Sequence, residues 1–447
     1  MTTILDREKP VTVEANLQED RAAGQEAQPA GQATKIAYIM SRFPKITETF
    51  ILYEMLAMEE QGVQVEVYPL RRERTSVVHP EAKPYVARAH FLPHFSWPIL
   101  RSQLRFLARQ PRTYLSTLWT LLRANLGSRR YLAGAIFYFP KAVHFAERMA
   151  QQGIDHVHAH FASHPAMVAF VIHRLTGISY SFTAHGSDLH RDQHMLREKV
   201  AEAAFVVAIS QYNRALILEK SGDQFQDKVL VIHCGVDTAV FQPREEATPF
   251  ERGEGPFSVA CVGTLHEVKG QKYLLQACRI LQERGIQVHC HLVGDGPDQA
   301  MLEAEAKRLG IQEQVHFHGR RTREEIAQLL RRVDVLATPS VPTRSGRREG
   351  IPVVLMEAMA SAVPVVASRL SGIPELVEDR VSGLLVPPGD AQALADALAQ
   401  LHDQDAESRW ALGRAGREKV VQEFDVHRNS AALARYFLAN RQGSADR

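Results

Sequence analysis

The stretch Phe257-Ser-Val-Ala-Cys-Val262-Gly-Thr-Leu-His-Glu-Val-Lys269-Gly270 carries the clearest fold signal in the chain. An almost unbroken apolar run stops at a glycine, a short polar loop follows, and helical periodicity begins near Gln271. A strand buried on both faces needs such a run, and a parallel neighbour needs a helix to carry the chain back. The same alternation repeats downstream. Spans 288–293, 315–317, 333–337 and 364–367 read as strands, with helices starting near Gln271, Pro297, Thr322 and Pro352. Helices over 390–402, 406–424 and 428–440 end the chain. This is the rhythm of a doubly wound α/β sheet.

The rhythm also runs upstream. Ile36-Ala-Tyr-Ile-Met40 is a strand, Phe43-Pro44 a turn, 47–60 a helix closed by Gly62, and 63–68 the next strand. Strands at 156–159, 179–184, 205–209 and 229–233 alternate with helices at 165–175 and 211–221. Residues 242–256 are polar with Pro and Gly, a linker composition. A chain of 447 residues therefore divides into two Rossmann-like domains, 35–245 and 255–424, with a disordered tail over 1–34. The net charge of +2 argues against a nucleic-acid partner. Four cysteines with no Cys-x-x-Cys pair fit a reducing, cytoplasmic compartment. No secretory leader and no transmembrane helix are expected.

Between residues 71 and 138 the rhythm pauses. Arg71, Arg72, Arg74, Arg101, Arg105, Arg109, Arg112, Arg123, Arg129 and Arg130 interleave with Phe91, Phe95, Trp97, Phe106, Tyr114, Trp119 and several leucines. Two readings stay open: a helical face for an anionic membrane surface, or a pair of ordinary helices with a solvated arginine side.

The chemistry concentrates in Glu349-Gly-Ile-Pro-Val-Val-Leu-Met-Glu357-Ala-Met-Ala. Pro352 suits the first helical position, Gly350 lets a backbone approach a ligand, and the amides of Ile351, Val353 and Val354 make a helix N-terminus able to bind phosphate. Glu349 precedes that terminus, and Glu357 lies further into the helix, where a carboxylate can take two sugar hydroxyls. Ser371-Gly372-Ile373-Pro374-Glu375 repeats the Gly, Pro and acid logic on the next strand end.

Two acids with seven residues between them, followed by Ala-Met-Ala, resemble the donor signature of glycosyltransferase family 4. The likeness includes Phe43-Pro44-Lys-Ile-Thr-Glu-Thr-Phe50-Ile, His156-Val-His-Ala-His160-Phe-Ala, Phe182-Thr-Ala-His185-Gly, Val293-Gly294-Asp-Gly-Pro297 and Gly383-Leu-Leu-Val-Pro-Pro-Gly389-Asp390, and points to the bacterial exopolysaccharide, colanic-acid-type branch. The resemblance implies a GT-B fold, two Rossmann-like domains facing across a cleft, with residues 425–447 crossing back to the first. It implies retaining transfer from a UDP- or GDP-sugar to a glycan or lipid-linked acceptor, without cofactor or metal. By that resemblance Glu357 binds the ribose, and Glu349 with the following amides holds sugar and diphosphate. Lys269 neutralises the leaving phosphate, and Gly263, Thr264 and Gly319 complete the donor site. His185 faces the sugar, while Phe43 and His160 lie toward the acceptor. Many relatives carry arginine where Thr264 stands. Arg320, Arg344, Arg347 and Arg348 are its candidate replacements.

His156, His158 and His160 fall at period two, so three imidazoles share one strand face. A spacing of roughly 6.6 Å per pair is too wide for consecutive ligands on one ion, so no metal is expected. Gly294-Asp-Gly296-Pro mimics a dinucleotide fingerprint, but the next strand ends His316-Phe-His318-Gly319 without the acid that an NAD site wants. Other GT-B reactions, epimerisation or phosphorolysis, stay open, as does a non-catalytic nucleotide-sugar scaffold favoured by Thr264.

Overall fold

The computed structural model describes residues 33–45, 48–73, 79–93, 96–186, 188–190, 193–244 and 255–445. The expected tail as far as residue 32, the helix start at Thr47, residues Arg74 and Phe95, and linker residues 245–254 lie outside them.

The first half holds strands β1 (Lys35–Phe43), β2 (Gln64–Arg72), β3 (His156–His160), β4 (Ser179–Ala184), β5 (Phe205–Ala208) and β6 (Val229–Val231). Its helices are α1 (Thr49–Glu60), α2 (Ala82–Arg88), α3 (Trp97–Arg109), α4 (Pro111–Ala124), α5 (Arg129–Gln152), α6 (His164–Thr176), α7 (Leu196–Glu202) and α8 (Gln211–Ser221). The second half holds β7 (Phe257–Val262), β8 (Val288–Val293), β9 (Val315–Phe317), β10 (Val335–Thr338), β11 (Val365–Ser368) and β12 (Leu384–Val386). There the helices are α9 (Gln271–Glu283), α10 (Gln299–Leu309), α11 (Arg323–Leu330), α12 (Val353–Ala360), α13 (Ile373–Leu376), α14 (Ala391–Asp403), α15 (Ala406–Glu423) and α16 (Val426–Ala445).

The strands form two six-stranded sheets, ordered β2-β1-β3-β4-β5-β6 and β12-β11-β10-β7-β8-β9. Every pairing between named strands is parallel. Alternate residues of β1 feed opposite cores: Ala37 and Ile39 one cluster, Ile36, Tyr38 and Met40 the other. Burial on both faces explains the unbroken apolar runs. The strand order reverses between β1 and β3 in the first sheet and between β7 and β10 in the second. Open sheets bind ligands beyond the strand ends at such a reversal. The loops that leave β7 and β10 carry Lys269 and Glu349.

The segment that interrupts the rhythm is four helices rather than two, α2 to α5, and α5 is the long crossover from β2 to β3. Leu121 is fully buried, and Phe106, Tyr114 and Leu118 pack on the core. Trp97, Leu100, Leu104, Leu115, Trp119, Leu126 and Ile136 instead point to solvent, with Trp97 73% and Trp119 65% exposed. From 97 to 136 the chain has seven arginines and no acidic residue. No helix among the described residues is long and apolar enough to cross a membrane.

The chain crossings and the last helix join the two halves. Val236 and Asp425 form a parallel bridge, reinforced by Thr238 Oγ1 donating to Asp425 Oδ2 at 2.7 Å. Leu433, Ala434 and Phe437 of α16 pack into the first-half cluster with Met55 and Met58 of α1.

Candidate active site

Two short loops bring the donor-side residues together. After β7, Gly263 turns with φ +148°, and a single 3₁₀ turn over Glu267–Lys269 leads to Gly270. A Cβ on Gly270 would stand 1.8 Å from the Pro339 carbonyl oxygen, so only glycine lets this loop rest on the loop after β10. That contact brings the Lys269 Nζ to donate to Glu349 Oε2 at 2.7 Å, with side chains 21% and 16% exposed. The Lys269 stem covers Gly263, where a Cβ would meet Cε at 3.0 Å.

Pro352 sits at the N-cap, one position earlier than its expected place, with extended ψ 128°, and helical turns begin at Val353. The Leu355 amide closes a 3₁₀-type bond to the Pro352 carbonyl. The amides of Val353 and Val354 are the first two of the helix, which no intrahelical carbonyl can reach. Glu357 is half-buried further along α12. Burial pushes its carboxyl up to about 7, and Arg323 pulls against that shift. The carboxyl group has no hydrogen bond or ion pair among the described residues.

Gly319, φ +64°, ends β9, and its carbonyl accepts from the Gly294 amide at 2.8 Å. Thr264 is exposed, and its carbonyl holds Gln271 Nε2. Among the described residues, none of the four candidate arginines has a hydrogen bond or ion pair with Glu349, the partner of Lys269. Arg320 pairs with Asp295 at 2.6 Å, Arg348 reaches the Tyr212 hydroxyl at 3.5 Å, and Arg344 and Arg347 are exposed on the Thr343–Arg347 turn.

The first half meets this site at His185–Gly186. A Cβ on Gly350 would lie 3.0 Å from the His185 carbonyl oxygen, and one on Gly186 would lie 3.4 Å from the Gly350 Cα. Backbone therefore touches backbone across the cleft. Glu375 does not face a ligand, as its loop suggested. Its carboxylate accepts from the amides of Gln211 and Tyr212 at 2.7 and 2.8 Å, capping α8 from the other half.

His185 is 8% exposed, and its ring lies between Phe50 and Phe161, at 4.6 and 4.7 Å between centroids. Burial holds it neutral, well below the ordinary imidazole range. Asp188 fixes its loop by accepting from the His185 amide at 3.0 Å and the Ala162 amide at 2.5 Å. Phe43 is 4% exposed and packs with Met40 and Ile51, beside a depression rimmed by Arg42, Lys45 and Glu48.

The three strand histidines explain themselves through β4. In register, His156, His158 and His160 face Ser179, Ser181 and Thr183. His156 spans Ser179 and Ser181, each at 2.7 Å, and His158 spans Ser181 and Thr183 at 2.8 and 3.0 Å. His160 continues the ladder to His185, with 3.0 Å between Nδ1 and Nε2. The strand-rise argument against a shared ion is corrected here, because the rings lean together. His158, His160 and Glu54 have ligand atoms within 4.8 Å of one another. Both nitrogens of His158 are nevertheless committed to hydroxyls.

Residues 47–240 match the family described as glycosyltransferase family 4, and residues 244–419 match glycosyl transferases group 1. The putative colanic acid biosynthesis glycosyltransferase WcaL of Escherichia coli K12 is 30% identical over 413 residues, 89% of this chain and 99% of that protein. The chain belongs to glycosyltransferase family 4. The amylovoran biosynthesis glycosyltransferase AmsK of Erwinia amylovora is 34% identical over 250 residues, 54% of this chain and 60% of that protein. These relatives put the family 4 chain in the exopolysaccharide branch. Among solved structures, Anabaena HepE superposes with a TM-score of 0.68 at 19% identity, over 91% of this chain and 100% of that one. Sucrose-phosphate synthase from Thermosynechococcus elongatus gives 0.68 at 20%, over 93% and 100%. The shared fold is GT-B. Within this family 4 site, roles for Glu54, Phe161 and Asp188 went unmarked in the sequence, and Glu375 was marked by its loop but not as a cap on α8. Asp188 left a local signal, three residues after His185.

Proposed function

We propose that this family 4 transferase moves a sugar from a UDP- or GDP-sugar, with retention, to a hydroxyl of a lipid-linked oligosaccharide in exopolysaccharide assembly. The observation that carries the reading is the Lys269–Glu349 pair at the strand-order reversal, beside the α12 N-terminus and the unengaged Glu357. A departing nucleoside diphosphate gains negative charge, and a positioned cation with helix amides stabilises it. On donor binding the diphosphate takes Lys269, which frees Glu349 for a sugar hydroxyl, and Glu357 accepts from the ribose. Lys269 and the amides do the work that a metal would do elsewhere, and the leaving phosphate takes the acceptor's proton. HepE, which shares the fold, was crystallised with UDP and with UDP-glucose.

The exposed tryptophans and leucines of α3 and α4, set among arginines with no acid, fit an anionic membrane surface. Such docking at the cytoplasmic face brings the first half to a lipid-linked acceptor. The exposed Thr264 favours a second reading, a nucleotide-sugar-binding scaffold without turnover. A panel of UDP-, GDP- and ADP-sugars tests both. A thermal shift with one base, lost in Glu357→Ala, together with product formation supports the transferase. A shift without product supports the scaffold, and no shift with any donor refutes both.

A further inference from the structure

Behind His185 lies a row of groups that the transfer reading leaves unused. The Tyr38 hydroxyl donates to Glu54 Oε1 at 3.0 Å. The same oxygen is 3.3 Å from His160 Nε2, a buried nitrogen with no hydrogen-bond partner among the described residues. His160 Nδ1 is 3.0 Å from His185 Nε2, and His185 Nδ1 is 3.7 Å from Cys234 Sγ.

The row has one polarity. An ionised carboxylate only accepts, so the nitrogen facing Glu54 carries a proton. A neutral imidazole has a single N–H, so His160 Nδ1 is bare and must accept. His185 Nε2 then carries the proton and its Nδ1 is bare. Cys234, whose thiol burial keeps protonated, is a weak donor toward that nitrogen. We propose that Glu54 and His160 are positioning residues that hold His185 as the Nε2–H tautomer, leaving Nδ1 to accept a substrate hydroxyl in place of the Cys234 thiol. Glu54 and the last histidine of the β3–β4 ladder thereby orient a histidine whose carbonyl meets Gly350 across the cleft. Only the kinetic part of the test rests on the transferase reading.

In protein with ring-¹⁵N histidine, with His185→Asn assigning the signal, His185 should show a bare Nδ1 and a protonated Nε2. Glu54→Gln, which keeps the bond from Tyr38 but removes the charge, should show both tautomers. A wild-type Nδ1–H tautomer, or a Glu54→Gln spectrum identical to wild type, overturns the proposal. In turnover of whichever donor the panel identifies, Glu54→Gln should lower kcat about tenfold or more with donor KM within about twofold, and Glu54→Asp should recover most of the loss. Equal kcat in Glu54→Gln and wild type overturns the positioning role. The spectra need no turnover, so they decide the tautomer even if no donor is consumed.

Discussion

The proposed role of Glu357 at the ribose predicts that donor binding is sensitive to pH near neutrality. Its carboxyl is pushed up to about 7 by burial, so it is largely protonated at pH 6 and largely ionised at pH 8. Accepting two ribose hydroxyls requires the carboxylate. Donor affinity should therefore be present above pH 7 and lost as pH falls through it. The ionised fraction rises from about one tenth to about nine tenths over that window, a factor of about ten in Kd, or about 1.4 kcal/mol. Folding stability runs the other way. A carboxyl with a raised native pKa contributes stability below its unfolded value of about 4.3, and that contribution is lost as pH rises to 7. Burial holds His156 down to about 3, His190 to about 4, and His158 and His185 well below the ordinary imidazole range, so these four do not titrate in that window. Calorimetry with the intact nucleotide sugar at pH 6, 7 and 8 measures the slope. Repeating pH 6 in buffers of different ionisation enthalpy reads the released proton. A flat Kd, or the same slope in Glu357→Gln, refutes the assignment of Glu357 to the donor.

Lys269→Ala and Glu349→Ala should each lower kcat by about 10²-fold or more, with circular dichroism unchanged; wild-type turnover in both would remove the pair from the site. Glu375→Ala strips two charge-assisted bonds from the start of α8 and should cost about 1–2 kcal/mol, seen as a lower Tm and a larger radius of gyration in solution scattering. An unchanged Tm and radius would mean the cap does not hold the halves together. Trp97→Ser with Trp119→Ser should abolish sedimentation with anionic liposomes at low salt, while wild type is released by high salt. Equal recovery of wild type with neutral liposomes would count against the arginine face.

The sheets were legible because each buried strand announces itself as an apolar run, and a glycine marks where β7 ends. Shorter pieces were not. Leu384–Val386 has three residues and lies inside a Gly- and Pro-flanked motif, and α7 has seven, too few for a helical period to register. Glu349, Glu357 and Lys269 could be picked out because one helix start and one loop hold them. Glu54 could not, and Glu375 could be noted but not given its role, since their partners are brought by folding; Glu375 caps a helix 164 positions earlier in the chain. The strand histidines were misjudged in spacing because Cα positions were used for rings that tilt toward one another. The long excursion between β2 and β3 has helical periodicity, but nothing in it marks which apolar side chains stay outside. Leu121 and Trp119 stand two positions apart, and one is buried while the other is bare.

The bridge between Val236 and Asp425 has a mechanical consequence. The chain passes between the halves once going out and once coming back, and both passages are tied to each other at this point by the Val236 and Val426 amides and the Thr238 hydroxyl. Two flexible tethers would let the halves slide and tumble. Two tethers knotted together act as a pin, and the motion left to them is rotation about it. Opening by such a rotation would have to part Gly186 from Gly350 and release the Glu375 grip on α8.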